Sequence, residues 1–369
     1  MQVYNQVFTE DDAKAVYEVV KSQFVTHIGK ETKQLEAEFR ELFSRRYALA
    51  CSNGTTALHL ALVALNLQGC TIAVPAGAFA AAAFAPAYVN CKTVFIDIDE
   101  RTWNINPSLL EEECKKQRID AVIAVHNYGT PYNYNVLKEL SEKYKFYIIE
   151  DACEAFGASY GDTKAGCLGD VSVFSFYGNK MISGGEGGML LTDSNNVAEK
   201  AEKFKSQAIS KVRKFWHEDI GHNFRITNMQ SALVLSQLRR ADEVLRKASQ
   251  INKWYRENLK DAPVKFQERG DENNDKLKIL PSYWMTSLVH KDFKPEWGSI
   301  IARELKERGI DTRPIFPPLP LMPPWEKENR DKRCHVAEKV HDSGITLPSG
   351  PAMTEEMVKE VCKYINEIG

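Results

Sequence analysis

The chain of 369 residues carries 48 Lys and Arg against 50 Asp and Glu, a formal net charge of −2, and 43% of it is hydrophobic. Such a balance excludes the strongly basic footprint of a nucleic-acid backbone binder. The lack of any run of about 18 apolar residues argues against a membrane-spanning helix. The length predicts two or three domains, or one large domain with a smaller appendage. Residues 1–12 have neither a basic start nor an apolar stretch, so no secretory leader is expected.

The eight cysteines form no Cys-x-x-Cys pair and there is no HExxH; the nearest histidines, His217 and His222, stand five apart. A metal site is not expected. Scattered thiols of this kind fit a reducing compartment, and a cytoplasmic location is the expectation.

In chain order, short strand-like runs occupy 47–51, 71–74, 93–98, 121–126, 146–149, 172–176 and 189–192. Helical patterns lie between several of them. Residues 55–65 are apolar nearly all round, as in a helix packed inside a domain, whereas 134–144 keeps Val136, Leu137, Leu140 and Tyr144 toward one side. This alternation predicts an α/β fold with a mostly parallel sheet, whose ligands bind beyond the carboxyl ends of the strands. A long helical stretch follows at 229–259, then a charged, turn-prone segment at 268–278 and a strand at 281–289. Six prolines within 314–324 exclude helix there and predict an ordered loop. Helices at 297–308 and 355–368 complete a smaller α+β domain. The expected division is a large domain over 1–245, with an N-terminal helical segment, and a small domain over 246–369.

The polar residues at the strand ends are expected to converge. Gly54 and Thr55 open the helix after the first strand, and free N–H groups at such an end suit a phosphate. A cap by Ser52 or Thr55 is the competing local reading. Glu150 and Asp151 follow four apolar residues, so at least one carboxylate is expected to face a cleft, where a buried acid needs a positive partner. Lys180 follows a β run and precedes four glycines within five residues. The order is not that of a Walker loop, because the lysine comes before its glycines. A lysine entering a cavity on such a turn is suited to Schiff-base chemistry, and a surface lysine beside a turn is the bland alternative.

Taken together, SNGTTALHLAL at 52–62, EDACEAFGASY at 150–160, GDVSVFSFYGNK at 169–180, GGEGGM at 184–189 and HNFRITN at 222–228 resemble the DegT-like sugar-nucleotide aminotransferases. These belong to the fold-type I, aspartate-aminotransferase-like enzymes that use pyridoxal 5′-phosphate (PLP). The likeness runs from Ile28-Gly29-Lys30 to Leu347-Pro348-Ser349.

The resemblance implies that Lys180 attaches the cofactor and carries protons, and that Asp151 faces the pyridine nitrogen. It implies that Phe79 stacks on the ring and that Glu154 lies near the phenolic oxygen. Gly54, Thr55 and Ser175 would hold the phosphate. Asn223 would reach a neighbour's cofactor, which implies a homodimer with shared sites. Lysine at 180, in place of the histidine of the related 3-dehydratases, implies transamination with L-glutamate as donor.

The segment KFWHEDIGHNFRITN at 214–228 resembles the perosamine-forming and other 4-aminotransferases more than the 3-amino branch. It makes His217 a candidate substrate contact, and the expected acceptor is a GDP-linked 4-keto-6-deoxyhexose. UDP- and dTDP-linked 4-ketosugars remain alternatives, as does, less favoured, a 3-aminotransferase. Arg313 either pairs with a substrate phosphate or is an exposed surface residue. Two departures from the family stand out: alanines at 80–83 in place of its Thr-rich segment, and Leu319-Pro320-Leu321 where relatives carry a histidine.

Overall fold

A computed structural model describes residues 1–268, 278–329 and 333–368. Its strands in chain order are β1 (Tyr47–Cys51), β2 (Thr71–Pro75), β3 (Lys92–Ile96), β4 (Ala121–Val125), β5 (Tyr147–Asp151), β6 (Ser159–Tyr160), β7 (Thr163–Lys164), β8 (Val171–Ser175), β9 (Gly188–Thr192), β10 (Val264–Phe266), β11 (Ile279–Leu280), β12 (Thr286–His290), β13 (Arg313–Pro314) and β14 (Gly344–Leu347).

Seven of them form one sheet in the order β1-β9-β8-β5-β4-β2-β3. Pairing is parallel from β8 through β5, β4 and β2 to β3, and antiparallel on both sides of β9. Thus β9 alone runs backwards, and the carboxyl ends of β1, β2, β4, β5 and β8 share one edge. Strands covered on both faces read as unbroken apolar runs. Along β2 and β4, Ile72, Val74, Ile123 and Val125 join one core cluster while Ala73, Val122 and Ala124 join another across the sheet. That is the period-2 alternation of a strand with helices on both faces.

A second, antiparallel sheet of order β10-β12-β14-β13 carries its own core, which includes Leu288, Ile301, Ile345, Leu347, Val361 and Ile365. The predicted helix at 355–368 is present over Glu355–Ile368, and that at 297–308 over Trp297–Glu307. The helix expected at 229–259 is two helices, Asn228–Leu238 and Ala241–Asn258. They break at Arg240, whose side chain turns back to a buried partner, Asp12, at 2.9 Å. The expected boundary at 245/246 falls inside the second helix, which gives Ala241, Val244 and Ala248 to the main core and Ile251 and Tyr255 to the smaller one. The chain start also joins the small domain. The Met1 carbonyl accepts from Asp311 N–H at 2.8 Å and the Val3 carbonyl from Ser349 N–H at 2.9 Å.

Two other expectations shift. The strand at 281–289 is shorter, Thr286–His290, because the residues before it hold a turn with Tyr283 at φ 55°. The Pro-rich segment is not all loop: Pro314 belongs to β13, and a 3-10 turn spans Leu319–Leu321 with proline at its first positions, where no N–H is needed. Leu319 is wholly buried and its N–H donates to the Ala76 carbonyl at 2.8 Å. Residues 269–277 of the charged stretch lie outside the described residues. The eight cysteines are free, and among the described residues no cluster of His, Cys, Asp and Glu could hold a metal. No described helix is long and apolar enough to cross a membrane.

Candidate active site

Tight packing brings the helix start to the strand ends. The helix is Gly54–Ala64, and its cap is Asn53, neither Ser52 nor Thr55. The Asn53 side chain accepts from Thr56 N–H at 2.9 Å while Thr56 Oγ1 accepts from Asn53 N–H at 3.2 Å, a reciprocal box that leaves the N–H groups of Gly54 and Thr55 to other partners. A Cβ on Gly54 would lie 2.7 Å from Cys153 Sγ and 3.0 Å from Ser175 Cβ. One on Gly188, in GGEGGM, would lie 2.6 Å from the Asn53 carbonyl. Both positions therefore require glycine for the helix to reach Ser175 at the end of β8.

The adjacent carboxylates of β5 part company because successive side chains leave a strand on opposite faces. Glu150 turns away from the edge and is fully buried. It accepts from His126 Nε2 at 2.8 Å, Gly166 N–H at 2.6 Å, Leu168 N–H at 2.8 Å and Ser172 Oγ at 2.6 Å. Burial alone would raise its pKa, but the His126 and Gly166 donors, with Ser172, bring it below the ordinary value. Asp151 faces the cavity at the strand end, only 7% exposed, and accepts from Cys153 N–H at 3.1 Å. Burial pushes its carboxyl up, against the pull of Cys153 and Lys180.

Lys180 does not end the strand; it closes a turn five residues past β8, its N–H donating to the Tyr177 carbonyl at 2.9 Å. Its amine lies 3.6 Å from Glu154 Oε1 and 3.7 Å from the centre of the Trp284 ring. Burial pushes Glu154 to about 7, with Lys180 and the Tyr128 N–H, 2.8 Å from Oε2, opposing. Tyr128 has φ 54° and ψ 22°, a left-handed backbone that costs a non-glycine residue about 1–2 kcal/mol.

One cavity of about 520 Å³ gathers Gly54, Thr55, Phe79, Asp151, Glu154, Ser175, Lys180 and Arg313. Phe79 offers a half-exposed ring, 59% accessible, tilted against Phe316 with centroids 5.9 Å apart. Sequence reasoning missed Trp284, Tyr177, Glu186 and Phe316, which also line the cavity. Glu186 sat within the GGEGGM motif; for Trp284 and Phe316 no local pattern marks them, because they arrive from the small-domain side.

His217 and Asn223 do not line this cavity. His217 Nδ1 lies 2.8 Å from the Gln207 carbonyl, and Asn223 Oδ1 accepts from Arg225 Nε at 2.9 Å. Both belong to an outlying segment in which Val212 and Phe215 are each 96% exposed and Ile220 88%.

Residues 6–366 match the DegT/DnrJ/EryC1/StrS aminotransferase family. The chain belongs to that family. It is 33% identical over 366 residues to the GDP-perosamine synthase of Escherichia coli O157:H7, covering 99% of this chain and 97% of the relative. Helicobacter pylori PseC, an aminotransferase of pseudoaminic acid biosynthesis, superposes with a TM-score of 0.90 at 26% identity, covering 99% and 98%. The PLP form of a sugar aminotransferase from Streptococcus pneumoniae shares the fold, with a TM-score of 0.92 at 20% identity over 100% and 98% of the two chains. This protein is accordingly a PLP-dependent sugar aminotransferase with the fold-type I, aspartate-aminotransferase-like architecture.

The residues present in the aminotransferase fit that cofactor. One cavity offers an amine at Lys180, a helix start with the Ser175 hydroxyl beside it, and a carboxylate at Asp151 whose burial calls for a positive partner. The cradle at Gly54, which a Cβ would fill, keeps the helix start open. Asn179, also lining the cavity, has a buried side-chain oxygen with no protein partner.

Proposed function

We propose that the enzyme transfers the amino group of L-glutamate to C4 of a nucleotide-linked 4-keto-6-deoxyhexose, specifically GDP-4-keto-6-deoxy-D-mannose, giving GDP-perosamine for polysaccharide or O-antigen synthesis in the cytoplasm. The observation that carries this reading is the 33% identity to a GDP-perosamine synthase across 99% of the chain, together with the intact Lys180 cavity.

The family resemblance gives each residue its role, and its place in the cavity supports it. The N–H groups of Gly54 and Thr55 and the Ser175 hydroxyl hold the cofactor phosphate. Phe79 would pack on the ring face, and Asp151 would hold positive charge at the pyridine nitrogen. PLP, when bound, supplies an electron sink for the pair left as the substrate carbon loses its proton. Lys180 anchors the cofactor and, once released, its Nζ takes the proton from the amino-bearing carbon. Glu154, 3.6 Å away, would steer that amine and face the cofactor's phenolic oxygen. Arg313, at the cavity wall, meets a phosphate of the sugar nucleotide.

Asn223 and His217 act across a homodimer, Asn223 at the neighbour's cofactor and His217 at its substrate. The exposure of Val212, Phe215 and Ile220 beside them supports an interface there, since such a run of bare apolar side chains is unusual on a monomer.

The test is incubation of the enzyme with PLP, L-glutamate and GDP-4-keto-6-deoxymannose, with UDP- and dTDP-4-ketosugars in parallel, and mass spectrometry of the products. An amino sugar from the GDP substrate is expected. Product from another nucleotide alone would move the acceptor assignment, and activity on simple keto acids alone would overturn the sugar reading.

A further inference from the structure

Tyr128 occupies a strained position that the chemistry described so far does not require. Its left-handed backbone sits in a turn over-determined from every side. Asn127 donates to the carbonyls of Gly77 and Trp103, each at 2.7 Å, and accepts from Gln267 Nε2 at 2.9 Å. The Gly129 carbonyl accepts from Ser282 N–H at 3.0 Å. Held this way, Tyr128 reaches two parts of the molecule at once. Its N–H donates to Glu154 Oε2 at 2.8 Å. Its hydroxyl, buried, accepts from Phe316 N–H at 2.9 Å. Phe316 lies two residues past β13, whose Arg313 pairs with Thr346 of β14. The ring also stacks on Phe316, with centroids 4.9 Å apart and an interplanar angle of 17°.

We infer that Tyr128 is a positioning residue for substrate recognition. Its hydroxyl sets the β13 segment, and with it Arg313 and Phe316, at a fixed place against the acid held by its own backbone N–H. The cavity wall at Arg313 comes from the small domain and that at Glu154 from the large one, so their separation needs a common reference. A single side chain touching both supplies it, and that requirement accounts for a tyrosine being kept at a backbone angle that a glycine would adopt without cost.

The inference rests on the reading of Arg313 as a contact for the sugar nucleotide, and the test separates the two. Tyr128→Phe keeps the ring and the backbone N–H and removes only the hydroxyl. The expected result is a rise of about three- to tenfold in KM for the nucleotide-linked ketosugar, the size of one lost hydrogen bond. The kcat stays within about twofold, and the half-reaction with L-glutamate, followed by the cofactor's absorption, is unchanged. Amide exchange at Arg313 and Ile315, neither of which bonds Tyr128 through its N–H, should quicken while that of β4 and β5 does not. This measurement needs no substrate, so it decides the role of Tyr128 even where the acceptor assignment fails. Unchanged exchange at Arg313 and Ile315 would overturn the inference, as would an equal loss in the L-glutamate half-reaction.

Discussion

The cofactor cavity and the outlying segment around 209–223 are built on opposite principles. In the cavity every element is held by its neighbours: Gly54 and Gly188 allow no Cβ, Asp151 and Glu154 are buried, and Lys180 is fixed between a carboxylate and an indole ring. In the segment, Phe215 and Ile220 meet nothing, and Arg213 rests on Trp216 at 4.0 Å over the surface. A buried site can be complete within one chain; a run of exposed apolar side chains is completed only by something else. The contrast teaches that the Lys180 cavity is built within one protomer, whereas any part played by the outlying segment depends on assembly.

The comparison breaks most severely at Lys180. Lys180→Ala should lower turnover by about a thousandfold or more, since anchor and proton carrier are lost together, while PLP is still retained on gel filtration through its phosphate contacts. Next comes Asp151→Asn, which removes the negative charge at the buried end of the cavity. A loss of about a hundredfold in the L-glutamate half-reaction is expected in stopped-flow absorption, and an unchanged rate would mean that a different carboxylate serves the ring nitrogen.

The outlying segment responds in another way. Phe215→Asp combined with Ile220→Asp should leave each protomer folded, by circular dichroism, yet shift sedimentation toward monomer and cut activity about tenfold or more. Asn223→Ala should weaken PLP binding without changing sedimentation; if the dimer forms and affinity is untouched, Asn223 has no part in the neighbour's site.

The smallest effect concerns pH. Glu154 is pushed to about 7 in the folded protein by burial, against an ordinary value of 4.5. The folded state therefore holds this proton more tightly than the unfolded one. The stability it contributes is full below about pH 4.5 and is lost as pH rises through about 7. Glu154→Gln should flatten that decline in the melting temperature of the cofactor-free protein between pH 5 and 8. A decline of the same steepness in the variant would place the titration elsewhere, with Asp151, also raised by burial, the next group to replace.

Much of the fold was legible because its signals are local. The strands at 47–51 and 121–126 announced themselves as apolar runs between turn residues, and SNGTT read as a helix start suited to a phosphate. The motif residues Gly54, Asp151, Glu154, Ser175 and Lys180 lie in one cavity because parallel strands deliver their carboxyl ends to one edge. Where reading failed, the cause was not always local. A helix pattern continuous through 229–259 hid a break at Arg240, whose side chain pairs with Asp12, more than two hundred residues away. The cap of the helix at 54 was missed for a local reason: Asn53 and Thr56 bond reciprocally, a box the reading of Ser52 or Thr55 did not include.

What the amino-acid order determined by itself was therefore the alternation of strand and helix, the placing of glycines where side chains have no room, and the chemical kind of each group at the strand ends. Periodicity and steric volume act over a few residues, and a chain carries them wherever it folds. Tertiary structure alone decided that Glu150 is a structural acid and Asp151 faces the cavity. It alone brought Trp284 to the Lys180 amine, and it let Tyr128 span from Glu154 to Phe316. Those outcomes depend on desolvation and on contacts between residues 24 to 188 positions apart, and neither quantity exists until the chain is folded.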